Sequence, residues 1–127
     1  MENILKENII DFIAKNNMEY NCTQPKLSVP VINRIYKKMV VGINFSSIKV
    51  ANGLICNGHH RYVASKLANY ELEIIPTTLT SATNVTNWPL IIFDEEDWDT
   101  KAKIDMLNEQ DAAFNNIKLE KIIKILK

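Results

Sequence analysis

The sequence has few cysteines, no excess of either charge and no long apolar run. Its two cysteines, Cys22 and Cys56, lie far apart, and the only other soft ligands are the adjacent His59 and His60. This spacing is no zinc pattern. Met1 is not followed by a basic segment and then an apolar one, as in a secretory signal. We therefore expect two free thiols and a cytoplasmic protein.

The charges balance, with 15 basic and 15 acidic side chains. Binding to DNA without sequence preference usually requires a basic excess, because counterion release drives it. A balanced chain can still carry a local basic patch, so nucleic acid remains a candidate partner. No apolar stretch approaches the roughly 18 residues that span a bilayer, so we expect no membrane partner.

The 127 residues, 46% hydrophobic and 24% charged, are typical of one soluble globular domain. Apolar residues at helical spacing predict an N-terminal helix over residues 3–15. Residues 26–32 predict an edge strand, since Pro30 removes one ladder donor. Asn33 then predicts the N-cap of a helix over residues 34–41, with Gly42 just after its end.

Asn52-Gly53 is the preferred pair for a type I′ turn, and it predicts a hairpin between strands 45–50 and 54–57. After the hairpin, the sequence predicts a helix (59–69), a strand (71–76), a polar loop (77–87), a strand (88–93) and an acidic turn (94–99). It then predicts a helix (101–109) capped by Asp99 or Thr100. A last helix, capped by Asn115 or Asn116, is predicted to extend to Lys127. The predicted fold class is α+β (mixed α/β), a single-layer sheet of four to five strands with helices around it. Residues 99–127 form a helical extension.

The segment Asn57-Gly-His-His-Arg61 joins the end of a predicted strand to the start of a predicted helix. The first N–H groups of a helix lack internal partners, and the helix dipole makes this end positive. Such a site favours an anion, above all a phosphate. Arg61 adds a bidentate clamp, and His59 and His60 add donors or a proton carrier with a pKa near neutral.

A simpler interpretation carries similar weight for so short a motif. Gly58 then only makes a tight turn, Arg61 forms an ordinary surface ion pair, and one histidine packs in the core.

The run Leu54-Ile-Cys-Asn-Gly-His-His-Arg-Tyr-Val-Ala-Ser65, followed by Ile74-Ile-Pro76, resembles the central motif of the ParB N-terminal/sulfiredoxin-like superfamily. Asn33-Arg34, Gly42 and Ile48-Lys-Val50 also fall where that family has a helix, a glycine and a strand. The resemblance covers about residues 26–80, the core of the single domain 1–127. It implies a small sheet-and-helix fold that binds ATP or another nucleotide, with the phosphates at Asn57, Gly58, His59, His60 and Arg61.

Departures from the family pattern reduce the number of activities that the resemblance implies. Sulfiredoxins have a reactive cysteine where this chain has His59, and Cys56 is expected to be packed, so that chemistry is disfavoured. A chain that ends at Lys127 has no room for the helix-turn-helix domain of the partition proteins. The sequence of the motif is most similar to those of the kinase-like and toxin-like branches.

Two further groups of residues are candidates for a site. The acidic residues of 94–99 follow a predicted strand and suit Mg²⁺, although a solvated turn is the favoured interpretation, and no metal ligand is assigned. Trp88 and Trp98 are expected in the core rather than stacked on a base. Glu71 and Glu73 are expected to be exposed, and so is the lysine row of the last helix: Lys118, Lys121, Lys124 and Lys127.

The leading hypothesis is an enzyme that hydrolyses or transfers a phosphoryl group, with His59, His60 and Arg61 as catalytic residues and Mg²⁺ as an optional cofactor. The first alternative is a nuclease, with nucleic acid as substrate and a cognate inhibitor protein if it is a toxin domain. The second is a nucleotide-binding module without catalysis.

Overall fold

The computed structural model describes residues 2–80 and 83–127, and its fold is α+β. In chain order the elements are α1 (Lys6–Lys15), β1 (Lys26–Ser28), α2 (Val29–Val40), β2 (Ile48–Ala51), β3 (Leu54–Asn57), α3 (His59–Ala68), β4 (Ile74–Pro76), a 3-10 helix (Trp88–Leu90), β5 (Ile92–Asp94), α4 (Lys101–Phe114) and α5 (Leu119–Leu126). Within the described ranges, no helix combines the length and the apolar character needed to cross a membrane.

The five strands divide between two sheets instead of lying in one. The order β3-β2-β4 forms the first sheet, in which β2 pairs antiparallel with β3 and parallel with β4. The second sheet is the parallel pair β1-β5, with Leu27 opposite Phe93. The predicted number of strands and the mixed class are confirmed, and the expectation of a single sheet is corrected.

The hairpin and the helix that follows it form as their local sequence predicts. Asn52 and Gly53 have φ angles of 50° and 75°, as a type I′ turn requires. Helix α3 begins at His59 and ends at Ala68, and Asn69 is its C-cap with a φ of 52°. Gly42, with a φ of 90°, follows the end of α2 as predicted.

The start of α2 corrects the prediction for residues 26–41. The helix begins at Val29, not at Arg34, and Ser28 caps it by accepting a hydrogen bond from the Val31 N–H. Pro30 lies in the first helical turn, where its missing N–H costs nothing. Asn33 is buried and is not a cap. Its side-chain amide accepts a hydrogen bond from the Ile4 N–H and donates one to the Ile4 carbonyl.

Other boundaries also differ. Pro89 places a 3-10 helix where the strand 88–93 was expected to begin, so β5 is shorter and extends to Asp94. The N-terminal helix begins at Lys6, β2 at Ile48 instead of residue 45, and β4 at Ile74 instead of residue 71. Thr100 caps α4 as predicted, but the helix runs to Phe114 and Asn115 ends it. Neither Asn115 nor Asn116 caps α5, whose N-cap is Lys118. Of the predicted loop 77–87, Ser81 and Ala82 lie outside the described residues.

Apolar side chains gather in two clusters. The main cluster joins α1, α2, α3 and both sheets, with Leu27, Ile32, Ile48, Ile55 and Val63 almost fully buried. A smaller cluster around Ile43, Ala112 and Ile122 holds α4 and α5 together. The helical extension therefore packs on the loop that follows α2, where Phe45 contacts both clusters.

Gly58 joins β3 to α3 and has a φ of 96°, which disfavours any side chain. A Cβ at this position would overlap the Ile48 side chain and lie 2.9 Å from an Arg61 guanidinium nitrogen. The first sheet therefore packs directly against the turn that starts α3.

We expect Gly58→Ala to lower the free energy of unfolding by about 3 kcal/mol, since backbone strain and overlap with Ile48 both oppose it. Gly42→Ala is the matched control, because Gly42 has a φ of 90° and a Cβ added to it would meet no other atom within 4 Å. The control should lose only about 1 kcal/mol. Urea unfolding of both variants measures the difference, and equal losses would contradict the close packing at Gly58.

Candidate functional site

The first turn of α3 opens onto a groove of about 790 Å³. Helix α2 and the loop 94–99 border the groove, and α4 forms its far wall. Asn57, Gly58, His59, His60 and Arg61, the five residues predicted for the site, all line it. The structure thus brings these residues together with side chains from α2 and α4.

His59 is 5% exposed and holds the loop that precedes β1. Its Nε2 accepts a hydrogen bond from the Thr23 N–H at 3.1 Å and lies 3.0 Å from Thr23 Oγ1, which donates to the Ile55 carbonyl. A backbone N–H can only donate, so Nε2 carries no proton in this arrangement. Burial lowers the pKa of His59 to about 4.

His60 plays the same part for the junction between β1 and α2. Its Nε2 accepts from the Ser28 N–H at 2.9 Å, and its ring meets the edge of Trp98 with centroids 5.2 Å apart. Burial, followed by the repulsion from His59, lowers the pKa of His60 to about 4.

The expected proton carrier with a pKa near neutral is therefore not found in either ring. Both imidazoles are neutral at pH 7, with Nε2 bonded to the backbone and the proton on Nδ1. Such a ring can position a ligand through Nδ1–H, but with a pKa of about 4 and Nε2 already accepting a hydrogen bond it is a weak general base. The catalytic assignment of His59, His60 and Arg61 stays a prediction.

Arg61 folds back over the loop before β2. One guanidinium nitrogen donates to Ser46 Oγ at 2.6 Å and to the Ser46 and Ser47 carbonyls, and the other donates to Asn57 Oδ1 at 2.8 Å. Within the described part of the chain these partners are all neutral oxygens, so the ordinary surface ion pair of the simpler interpretation is not what forms. Burial lowers the pKa of Arg61. Its positive charge is held at the groove, and no carboxylate of residues 2–80 or 83–127 pairs with it.

Three more cations at the groove come from α2 and α4. The Arg34 guanidinium binds Asp97 and Asp99, Lys103 lies 3.2 Å from Asp99, and Lys38 lies 2.7 Å from Asp111. Lys38 is only 3% exposed. No site role was predicted for these three cations from the sequence, and the only signal available was the i, i+4 spacing of Arg34 and Lys38 on one helical face.

Carboxylates of the acidic loop 94–99 form hydrogen bonds and ion pairs within the protein. Asp94 accepts from the Glu96 N–H and the Trp98 ring N–H, and Asp97 accepts from Arg34 and the Asp99 N–H. These hydrogen bonds hold the pKa of both carboxyls below the usual range. Across residues 2–80 and 83–127, no three metal-binding side chains come together. The loop closes one rim of the groove.

The aromatic residues next to this loop divide between core and surface. Trp88 is 8% exposed and stacks on Tyr62, as predicted, whereas Trp98 is 43% exposed, contrary to its expected place in the core. Cys56 is half-buried at the groove. Glu71, Glu73 and the lysines of the last helix are exposed, as predicted.

Comparison of the chain with protein-family models, curated proteins and solved structures gave no match.

The depressed histidine pKa values predict that stability falls with acid. The unfolded chain takes up protons below about pH 6.5, while the folded rings stay neutral down to about 4. Between pH 7 and pH 5 each ring should cost about 2 kcal/mol of unfolding free energy. The double variant His59→Gln/His60→Gln keeps an acceptor at both places and does not titrate here. Urea midpoints should fall more steeply in the wild type, and parallel curves would refute the assignment.

Proposed function

We propose that this protein binds a nucleotide in the groove, with its phosphates at the N-terminus of α3, and hydrolyses or transfers a phosphoryl group. One observation carries the proposal. The first turn of α3 lines a single groove of about 790 Å³ together with Arg61 and three cations that are paired with carboxylates: Arg34, Lys38 and Lys103. This volume lies within the range of small-molecule sites.

The phosphate end is built from backbone and charge. The first i→i−4 hydrogen bond of α3 runs from the Tyr62 N–H to the Gly58 carbonyl at 2.9 Å. The N–H groups of the preceding three residues thus stand outside the helical ladder. Arg61 lies beside them with neutral partners only, so an anion here gains both the helix dipole and a full charge.

The lining of the groove also includes apolar side chains, which suit a base. Phe45 lines the groove from the loop before β2, and Leu107 and Phe114 line it from α4. Phe114 is 61% exposed, so a large ring lies at the rim with little protein cover. A base packed against these side chains would remove apolar surface from water.

The local topology supports a place near the ParB N-terminal/sulfiredoxin-like superfamily. A hairpin leads into the Gly58 turn, the turn into a helix that contains Ala64, and the helix into β4, which ends in Ile-Pro beside β2. This order agrees with the motif that carries the resemblance.

The histidines bear on the chemistry that follows binding. With a pKa of about 4 and Nε2 bonded to the backbone, each ring positions a ligand better than it accepts a proton. This observation favours a second candidate, a nucleotide-binding module without turnover, and counts against a nuclease with a histidine base. Asp97 and Asp99 already bind Arg34, so they do not form a Mg²⁺ site in this arrangement.

Calorimetry with ATP, CTP and ADP in the presence of Mg²⁺ tests binding. Lys103→Ala should weaken it about tenfold, because a charged contact to the phosphates is lost. Lys101→Ala is the matched control: it removes a lysine from the same helix that pairs with Asp105 and does not line this groove.

Failure of the wild type to bind any of these nucleotides, or equal weakening by the two lysine variants, would overturn the proposed site. Release of inorganic phosphate from ATP or CTP, measured on the same samples, separates the two candidates. Turnover supports the enzyme, and tight binding without turnover supports the binding module.

A further inference from the structure

The α2–α4 side of the groove contains a polar atom that the fold leaves unpaired. Asn108 is 6% exposed, and its Oδ1 is fully buried without a hydrogen-bond partner among the described residues. Burying an amide oxygen without a donor costs on the order of 1–3 kcal/mol. A leucine in its place would pack against the apolar side chains nearby without that cost, so packing does not explain an asparagine.

Asn108 lies at the boundary between the phosphate groove and a neighbouring groove of about 740 Å³. Only the first of these contains the N-terminus of α3 and Arg61. Lys103, at the phosphate end, and Asn108 are five residues apart on α4, a rise of about 7.5 Å along the helix axis. That spacing matches the separation between the base and the 5′ phosphates of a nucleotide.

We propose that Asn108 determines base specificity by accepting a hydrogen bond from an exocyclic amino group, as on adenine or cytosine. This inference rests on the proposed nucleotide site. An acceptor without a donor selects a ligand that brings one. Apolar Ile104 and Leu107, its neighbours on α4, line the same wall beside the amide.

The side chain can reach a ligand at small cost. Rotation about χ2 of asparagine is broad, and turning Oδ1 toward the groove breaks no hydrogen bond at that atom. The bound state gains the bond that the free protein lacks. The expected preference is that of one neutral hydrogen bond, about five- to tenfold in affinity.

The test compares two pairs of nucleotides by calorimetry. ATP is paired with purine riboside triphosphate, which lacks the 6-amino group, and CTP with the pyrimidinone analogue that lacks the 4-amino group. The wild type should prefer the amino member of at least one pair about five- to tenfold, and the preferred pair names the base.

In Asn108→Leu the ratio should fall to about one, with folding preserved by circular dichroism because the buried unpaired oxygen is gone. Gln110→Leu is the control: Gln110 also lines the groove from α4 but is exposed, so it should keep the wild-type ratio. Equal binding of both members by the wild type, or an unchanged ratio in Asn108→Leu, overturns this inference alone. Binding of none of the four nucleotides overturns the proposed function, and this inference with it.

Discussion

Two backbone hydrogen bonds to neutral imidazoles organise the start of α3, and the surrounding segments depend on them. Through Nε2, His59 holds Thr23 and His60 holds Ser28. Ser28 in turn caps α2 and donates from its hydroxyl to the Glu96 carbonyl, which fixes the acidic loop. Each hydrogen bond requires the unprotonated ring, so the order of the groove depends on the burial that keeps the histidines neutral.

Local sequence was enough to predict the parts of the fold that local interactions determine. The hairpin follows from Asn52-Gly53, whose positive φ angles few other residues adopt, and α3 follows from Gly58 and the periodicity behind it. The placement of the candidate residues 57–61 between a strand end and a helix start was predicted for the same reason, because the chain itself brings the two together. Contacts between side chains that are distant in the sequence could not be predicted in this way.

The errors share that cause. Pro30 is compatible with an edge strand and with a first helical turn, and only the cap by Ser28 and the contacts of α2 decide between them. The split into two sheets depends on which strands meet, since β1 pairs with β5 across most of the chain. The pKa of a histidine likewise depends on burial, which a motif does not encode.

The smaller apolar cluster has a consequence for how the molecule can change. Ala112 and Ile122 belong to that cluster, while Lys103, Leu107 and Phe114 line the groove from α4. Exposed residues of this lining, such as Lys103 and Gln110, can be exchanged without disturbing the packing that specifies the fold. Stability and ligand choice therefore depend on different residues of the same helix, and the ligand can change while the fold stays the same.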